Sequence, residues 1–312
     1  MLPILCFGEA LIDCLQTGQT EADGISLPQF THFPGGAPAN VAVAVAKLGG
    51  RAFFGGQVGQ DSFGNFLKAA MVRYGVDVSQ LHQHPTAPTA LAFVLLDSDG
   101  ERSFSFYRNN TADLLFEAEQ LDWNAFATPG ILHLCSNTLT TDSMTQATMS
   151  IIQDAKERGW KVSFDVNFRR NLWENPGLAP ARIEAVIANS DVIKASGEEI
   201  KMLFPQHNLA ALIQGWCENR FVVITDGGDA VTCYFGASIS RFEVPQVKVV
   251  DTTSAGDSFV GGLLYRLSLL SSWSEKSFNQ AITYAVRCGA ITVTRPGAYP
   301  ALPWANELSD ID

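Results

Sequence analysis

An aspartate at the mouth of a helix, directly behind a run of small residues, is the most chemically suggestive feature of this sequence: Asp251-Thr252-Thr253-Ser254-Ala255-Gly256-Asp257-Ser258. Small residues at 254–256 let the backbone come close to a ligand and present N–H groups at a helix start, where first-turn donors and the helix dipole favour an anion. A carboxylate immediately after such a nest suits proton abstraction from an alcohol, while the N–H groups hold charge building on a transferring phosphoryl group. Taken alone, Asp257 reads equally well as a favourable charge at a helix N-terminus, worth ~1 kcal/mol at most.

A second segment, Gly35-Gly36-Ala37-Pro38-Ala39-Asn40, runs paired glycines into a helix of small residues. The glycines permit close backbone approach, and the Asn40 amide can grip hydroxyls on a polar ligand; an Ala-rich helix with Asn as a cap is the competing view. Asp13 closes a strand-like run, Ile4–Ile12, and could accept hydrogen bonds from two hydroxyls, or be an ordinary loop carboxylate. Other chemistries lack their signatures. The chain has no G-x-x-x-x-G-K-[ST], no G-x-G and no G-x-S-x-G, so a P-loop, a dinucleotide fingerprint and an acyl-hydrolase elbow are all missing. His82 and His84 flank Gln83 in what reads as a solvated loop rather than a metal site.

The elements that must position these residues alternate between short apolar runs and helical stretches. Strands are expected at Ile4–Phe7, Ala52–Gly55, Ala90–Leu96, Gly130–Leu134, Val162–Val166, Asp191–Ala195 and Phe221–Thr225, with a β-rich run at Phe242–Val250. Helices are expected at Ala39–Leu48, Phe63–Tyr74, Thr141–Arg158, Pro180–Ala188, Ser258–Ser268 and Lys276–Val293. This alternation predicts an α/β fold with a mostly parallel sheet covered on both faces. Residues 14–33 and 88–108 break the rhythm; the latter reads as two strands, Ala90–Leu96 and Arg102–Tyr107, around an Asp97-Ser98-Asp99-Gly100 turn. Both are read as a small β-layer projecting from the main sheet and suited to act as a lid, within one domain spanning 1–312.

Hydrophobic residues make up 46% of the 312 positions and charged residues 17%, enough apolar material for a sizeable core. The formal charge of −11 repels phosphate backbones and anionic membranes, so neither nucleic acid nor a membrane is an expected partner. An anionic substrate must therefore be met by local donors. Six scattered cysteines without a CxxC pair fit buried thiols in a reducing cytoplasm. The N-terminus has no basic n-region and meets Glu9 and Asp13 too early for a signal peptide, and no apolar run approaches the ~20 residues of a membrane span.

Taken together, the two segments resemble the signatures of the ribokinase-like (PfkB) carbohydrate kinases, and the likeness spans essentially the whole chain. The resemblance implies a ribokinase-like fold with a projecting β-lid that serves as a homodimer surface, and transfer of phosphoryl from ATP to a sugar hydroxyl with Mg2+. It makes Asp257 the base, the N–H groups of Ser254, Ala255 and Gly256 the anion hole, and Asp13, Gly35, Gly36 and Asn40 sugar contacts. Asp165-Val166-Asn167-Phe168-Arg169 is similar to a D-x-N-x-R strand end that places Asn167 near the phosphates. Lys194-Ala195-Ser196-Gly197-Glu198-Glu199 takes the place of an N-x-x-E motif, with Glu199 holding magnesium through water. Thr225-Asp226-Gly227 resembles a nucleotide turn, and Thr294-Arg295-Pro296-Gly297-Ala298 a segment closing the adenine pocket. Asp251, Thr253, Arg295 and Gly297 match a monovalent-cation (K+) site, although Ala301 lacks a side-chain oxygen that some relatives contribute.

Ser254 replaces the usual glycine, Ser196 the usual asparagine, and Ala230 a second glycine of the nucleotide turn. Gly8 through Asp13, the Gly35–Asn40 segment and Asn167-Phe168-Arg169 through Leu172-Trp173 look most like bacterial fructokinases. A 2-keto-3-deoxygluconate kinase is the near alternative, since Tyr107, Arg108 and Arg169 could serve a substrate carboxylate, the two arginines reading otherwise as ordinary surface ion pairs; Asp113 and Asn40 suit a neutral polyol. A non-catalytic sugar sensor on the same fold is the remaining reading.

Overall fold

In a computed structural model, described for residues 1–96 and 102–308, the chain alternates strand and helix along its length. The first part runs β1 (Ile4–Phe7), β2 (Leu11–Ala22), β3 (Ile25–Gly35), α1 (Ala37–Lys47), β4 (Ala52–Gly59), α2 (Ser62–Arg73), β5 (Asp77–His84), β6 (Leu91–Leu96) and β7 (Arg102–Tyr107). The middle adds β8 (Ile131–Cys135), α3 (Asp142–Glu157), β9 (Lys161–Asp165), α4 (Ala179–Ile187), β10 (Val192–Ser196), α5 (Gly197–Leu203) and α6 (Leu209–Trp216). The last part is β11 (Phe221–Thr225), β12 (Ala230–Phe235), β13 (Ser238–Glu243), α7 (Ala255–Ser268) and α8 (Glu275–Thr292).

Among the described residues, nine strands form one sheet in the order β13-β12-β11-β10-β9-β8-β1-β4-β5. It is parallel except for the β11–β12 and β12–β13 pairings. β1 shows why it must be covered twice: Ile4 and Cys6 join the core beneath α1, α7 and α8, while Leu5 and Phe7 join the core beneath α3, α4 and α6. Period-two alternation of fully apolar residues is what a doubly covered parallel strand needs. All six cysteines lie buried as free thiols. No helix among the described residues is long and apolar enough to cross a membrane.

A second sheet, β3-β2-β6-β7, stands apart from the first. Residues 14–33 supply most of its long β2–β3 hairpin, and β7 has the bounds expected of it. The Asp97–Gly100 turn lies outside the described residues. Three expectations are corrected. The run Ile4–Ile12 is broken at Gly8-Glu9-Ala10, where the chain leaves one sheet for the other, so Asp13 lies early in β2 rather than after β1. Phe242–Val250 is strand only to Glu243. His82 and His84 sit half-buried on edge strand β5, His82 against the Phe116 ring and His84 Nδ1 accepting from the N–H groups of Thr86 and Ala87. Polar alternation in Asp77–His84 hid that strand, and α5 and α6 are too short to declare a periodicity.

Glycines set how closely α1, α7 and α8 approach. A Cβ at Gly261 would overlap the Ala44 methyl of α1, and one at Gly262 would come 2.6 Å from Cys288 Sγ of α8. That close packing brings the N-terminal turns of α1 and α7 together. At the other end of α1, buried Lys47 donates to the carbonyls of Tyr299 (3.1 Å), Pro300 (3.5 Å) and Leu302, between the rings of Tyr74 and Trp304. The C-terminal segment is thereby pinned to the same helix. Gly261→Ala tests the packing: alanine is the better helix former by ~1 kcal/mol, but the overlap costs ~1–3 kcal/mol, so a net loss of about 1 kcal/mol is expected. Urea unfolding measures it, and a gain in stability would contradict the close approach.

Candidate active site

The carboxyl ends of β1, β8, β9 and β10 open into a cavity of about 740 Å3, where open α/β sheets bind ligands. Its wall includes Asp13, Gly36, Asn40, Arg108, Asn167, Arg169, Lys194, Glu199, Thr253, Ser254, Ala255, Gly256 and Asp257. Residues from both ends of the sequence thus meet at one site. Asn40 Nδ2 donates to Asp257 Oδ2 at 2.7 Å, although 217 positions separate them.

Local backbone explains the nest. Ser254 is the N-cap of α7 in the left-handed region, φ 60°, a conformation that costs serine more than the glycine usual there. Ala255, Gly256 and Asp257 form the first turn, where N–H groups lack intrahelical acceptors. The Ala255 N–H leans on Thr252 O at 3.3 Å. A Cβ at Gly256 would stand 3.2 Å from Lys194 Nζ, so glycine lets that ammonium approach the nest. Lys194 is buried and donates to Asp165 at 3.1 Å. Asn167 follows with φ 35°, its N–H bonded to Asp165 Oδ1 at 3.2 Å.

Ser196 closes a capping box with Glu199: its Oγ accepts from Glu199 N (3.1 Å), and Glu199 Oε2 accepts from Ser196 N (2.8 Å). Serine therefore caps α5 as the usual asparagine would, and fixes Glu199 on the cavity wall while standing off it. Thr225 pairs in register with Ser196 across β10 and β11, and Gly227 turns with φ 54°; neither lines the cavity. Gly35 also stands off the wall, tight against the Asp13 carboxylate. Asp251, buried beneath the nest, accepts from Thr253 N (2.8 Å) and Gly297 N (2.9 Å), joining the 251 and 297 loops outside the cavity. The Arg295 guanidinium turns away to the Glu307 carboxylate.

Arg108 is no surface ion pair. It is buried, its Nε donating to Asp113 Oδ2 at 2.6 Å and both terminal nitrogens to Asn137 O at 3.0 Å. Asp113 is consumed by that pair and by the Thr111 hydroxyl, and is not on the cavity wall. Arg169 remains more than half exposed, 3.7 Å from Glu199. The wall also carries residues given no role from sequence, among them Glu9, Asn137, Asp165 and Phe106. Glu9 falls within the Gly8–Asp13 run and Asp165 within the Asp165–Arg169 run, so both were within reach. Asn137 follows a buried strand without any motif.

Enclosure shifts the acids. Removal from water pushes the Asp257 carboxyl up to about 7, against the hydrogen bond from Asn40, with Asp165 raising it further and Lys194 and Arg169 lowering it. Asp13 also rises to about 7, through lost hydration and then the negative charges of Asp257, Asp251 and Glu9. Lys194 stays cationic, because Asp165 and Glu199 outweigh the cost of its burial. A carboxylate that holds a proton near neutrality, beside a charged lysine and free helix-start donors, can take a proton from a hydroxyl while its surroundings hold an anion.

The chain matches the pfkB family carbohydrate kinase model over residues 1–305. It is 39% identical over 310 residues to a probable fructokinase-3 of Arabidopsis thaliana, covering 96% of this chain and 88% of that one. Among solved structures it resembles the ATP-bound fructokinase of Xylella fastidiosa, with a TM-score of 0.90, 38% identity and coverage of 99% and 97%. A double mutant of the Vibrio cholerae O395 fructokinase, with fructose, ADP and potassium ion bound, gives a TM-score of 0.90, 35% identity and coverage of 100% and 98%.

The two acids titrate against each other, which a carboxyl-carbon NMR titration of the free protein can read. Both midpoints are expected near 7, and Asp257→Asn is expected to lower that of Asp13 by removing a neighbouring negative charge. An Asp13 midpoint in the ordinary carboxylate range, or one unmoved by the substitution, would contradict the electrostatic picture.

Proposed function

The chain belongs to the pfkB family of carbohydrate kinases, an ATP-dependent sugar kinase with a ribokinase-like fold, and we propose that it phosphorylates a hydroxyl of fructose with Asp257 as the base. The observation that carries the assignment of roles is the meeting of Asn40, Asp257 and the 254–256 nest at one cavity.

Asn40 holds the Asp257 carboxylate toward the cavity, and Asp13 with Asn40 and Gly36 receives the sugar hydroxyls. Asp257 takes the proton of the attacking hydroxyl. The first-turn N–H groups and the Lys194 ammonium stabilise charge on the transferring phosphoryl group. Asn167 and Arg169 stand at the phosphate end, with Thr225 and Gly227 beyond them at the nucleotide turn. For magnesium the donor set is suitable: Asp165, Asn167 and Glu199 offer hard oxygens on one wall. Magnesium keeps several of its waters and leans on substrate phosphates, so it needs few protein ligands. When bound there, Mg2+ supplies charge neutralisation at the phosphates. Potassium is proposed beside the 251–253 and 295–297 loops, supported by the potassium-bound relative and by the Asp251 carboxylate that ties the two loops together.

The sugar end favours a neutral substrate. Glu9, Asp13 and Asp257 line it, and three of the five Arg108 N–H donors are engaged by Asp113 and Asn137. A sugar acid would meet acidic side chains there, beside an arginine already paired with Asp113, which argues against 2-keto-3-deoxygluconate; the sensor reading would leave the base and nest without a task. We read the chain as one catalytic domain, with residues of about 14–33 and 88–108 forming its lid. Exposed Ile25, Leu27 and Tyr107 on that layer support a homodimer through it, and the six buried free thiols support a cytoplasmic location.

ADP release with fructose, ribose and 2-keto-3-deoxygluconate tests the substrate. Fructose is expected to show a kcat/KM about 10-fold or more above the others, with an acid limb near 7, because the protonated base cannot accept. A faster keto-acid reaction would overturn the choice of sugar.

A further inference from the structure

The four-stranded layer joins the main body at four places: Gly8–Ala10 into β2, Gly36 out of β3, residues 85–90 into β6 and residues 108–111 out of β7. One buried polar chain links them beneath the sugar end of the cavity. Glu9 Oε1, at the first crossing, accepts from Ala37 N at 3.1 Å, just past the second, and from Asn137 Nδ2 at 2.9 Å. Asn137, on the turn after β8 of the main body, presents its carbonyl to both terminal nitrogens of Arg108 at the fourth crossing. Arg108 passes the connection to Asp113, which the Thr111 hydroxyl also reaches at 2.6 Å. Ala112 N then donates to Pro88 O at 2.9 Å, at the third crossing. Glu9, Arg108, Asp113 and Asn137 are each at least 94% buried.

We propose that Glu9 and Asn137 are positioning residues, which fix the base of the four-stranded layer to the main sheet and so set the sugar end of the cavity around Asp13 and Asn40. Their common bond is the point where the first two crossings meet the main body. Asn137 serves twice through different groups: its side chain holds Glu9 and its carbonyl holds Arg108. Removing the amide therefore releases Glu9, still bonded to Ala37 N, from the turn after β8 while leaving the Arg108 anchor in place. A cavity wall displaced by even ~1 Å costs binding and turnover of the group it orients. Sugar affinity suffers first, because Asp13 follows Glu9 by four residues and Gly36 precedes Ala37. The nest and Lys194 lie on other elements, so the nucleotide end is spared.

This inference rests on the sugar-kinase reading, and one set of assays separates the two. In wild-type protein, fructose-dependent ADP release must be present; its absence sinks the kinase reading itself. Given that activity, Asn137→Ala is expected to raise KM for fructose about 10-fold or more while KM for ATP stays within about twofold, with sugar-free ADP release increased relative to the coupled rate. Glu9→Ala, which loses the bond from Ala37 N as well, should give the same split at least as strongly, and the double variant should be little worse than Glu9→Ala alone, because the bond Asn137→Ala removes is already gone. Asn137→Ser, which keeps a hydroxyl donor, provides the measurement should the alanine variant fail to fold. An unmoved fructose KM, equal shifts in both KM values, or additive effects in the double variant would each overturn the positioning role.

Discussion

The 2.7 Å hydrogen bond from Asn40 to Asp257 is the interaction on which the rest of the site depends. It closes a contact between the first turns of two helices from opposite ends of the chain. Glycine at 261, which lets α7 lie against Ala44 of α1, supports the close helix approach that the bond needs. The same contact draws Gly36 and the β2–β3 hairpin to one side of the carboxylate, and the 254–256 nest to the other. Lys47, at the far end of α1, extends the constraint to the C-terminal segment, where Gly297 N reaches Asp251 beneath the nest.

Electrostatics follow from that enclosure. The cavity concentrates acids in a chain that already carries a net charge of −11, and the cations that balance them are placed rather than free. Lys194 is buried against Asp165 and held charged by it and by Glu199. Arg108 is locked to Asp113 and Asn137. Lys194 approaches the nest and Arg169 lies on the same wall, so positive charge is concentrated where phosphate would lie, and acids and amides line the sugar end. A carboxyl lifted to about 7 beside that lysine is matched to proton abstraction near neutral pH.

Much of this was legible in the residues, for identifiable reasons. Buried parallel strands such as Phe221–Thr225 announce themselves by uninterrupted β-branched and aromatic side chains, and the long amphipathic helices by their period. The nest and the Gly35–Asn40 segment were visible because small residues beside a carboxylate or amide are unusual. What stayed hidden depended on partners. Asp77–His84 is an edge strand whose polar alternation resembles loop. Arg108 reads as a cation for a substrate carboxylate or a surface ion pair, because nothing nearby in sequence reveals that Asn137, 29 positions on, offers its carbonyl. Asn137 carries no motif, since its importance comes from where two crossings happen to converge.

The most direct test of the central claim is turnover against binding in Asp257→Asn. The substitution keeps shape and a hydrogen-bonding group beside Asn40 but cannot take a proton. Calorimetry is expected to show fructose binding close to that of the wild type, while kcat falls about 10²–10⁴-fold. A variant that turns over at nearly the wild-type rate would show that Asp257 is not the base, and that the helix-start carboxylate serves only the fold.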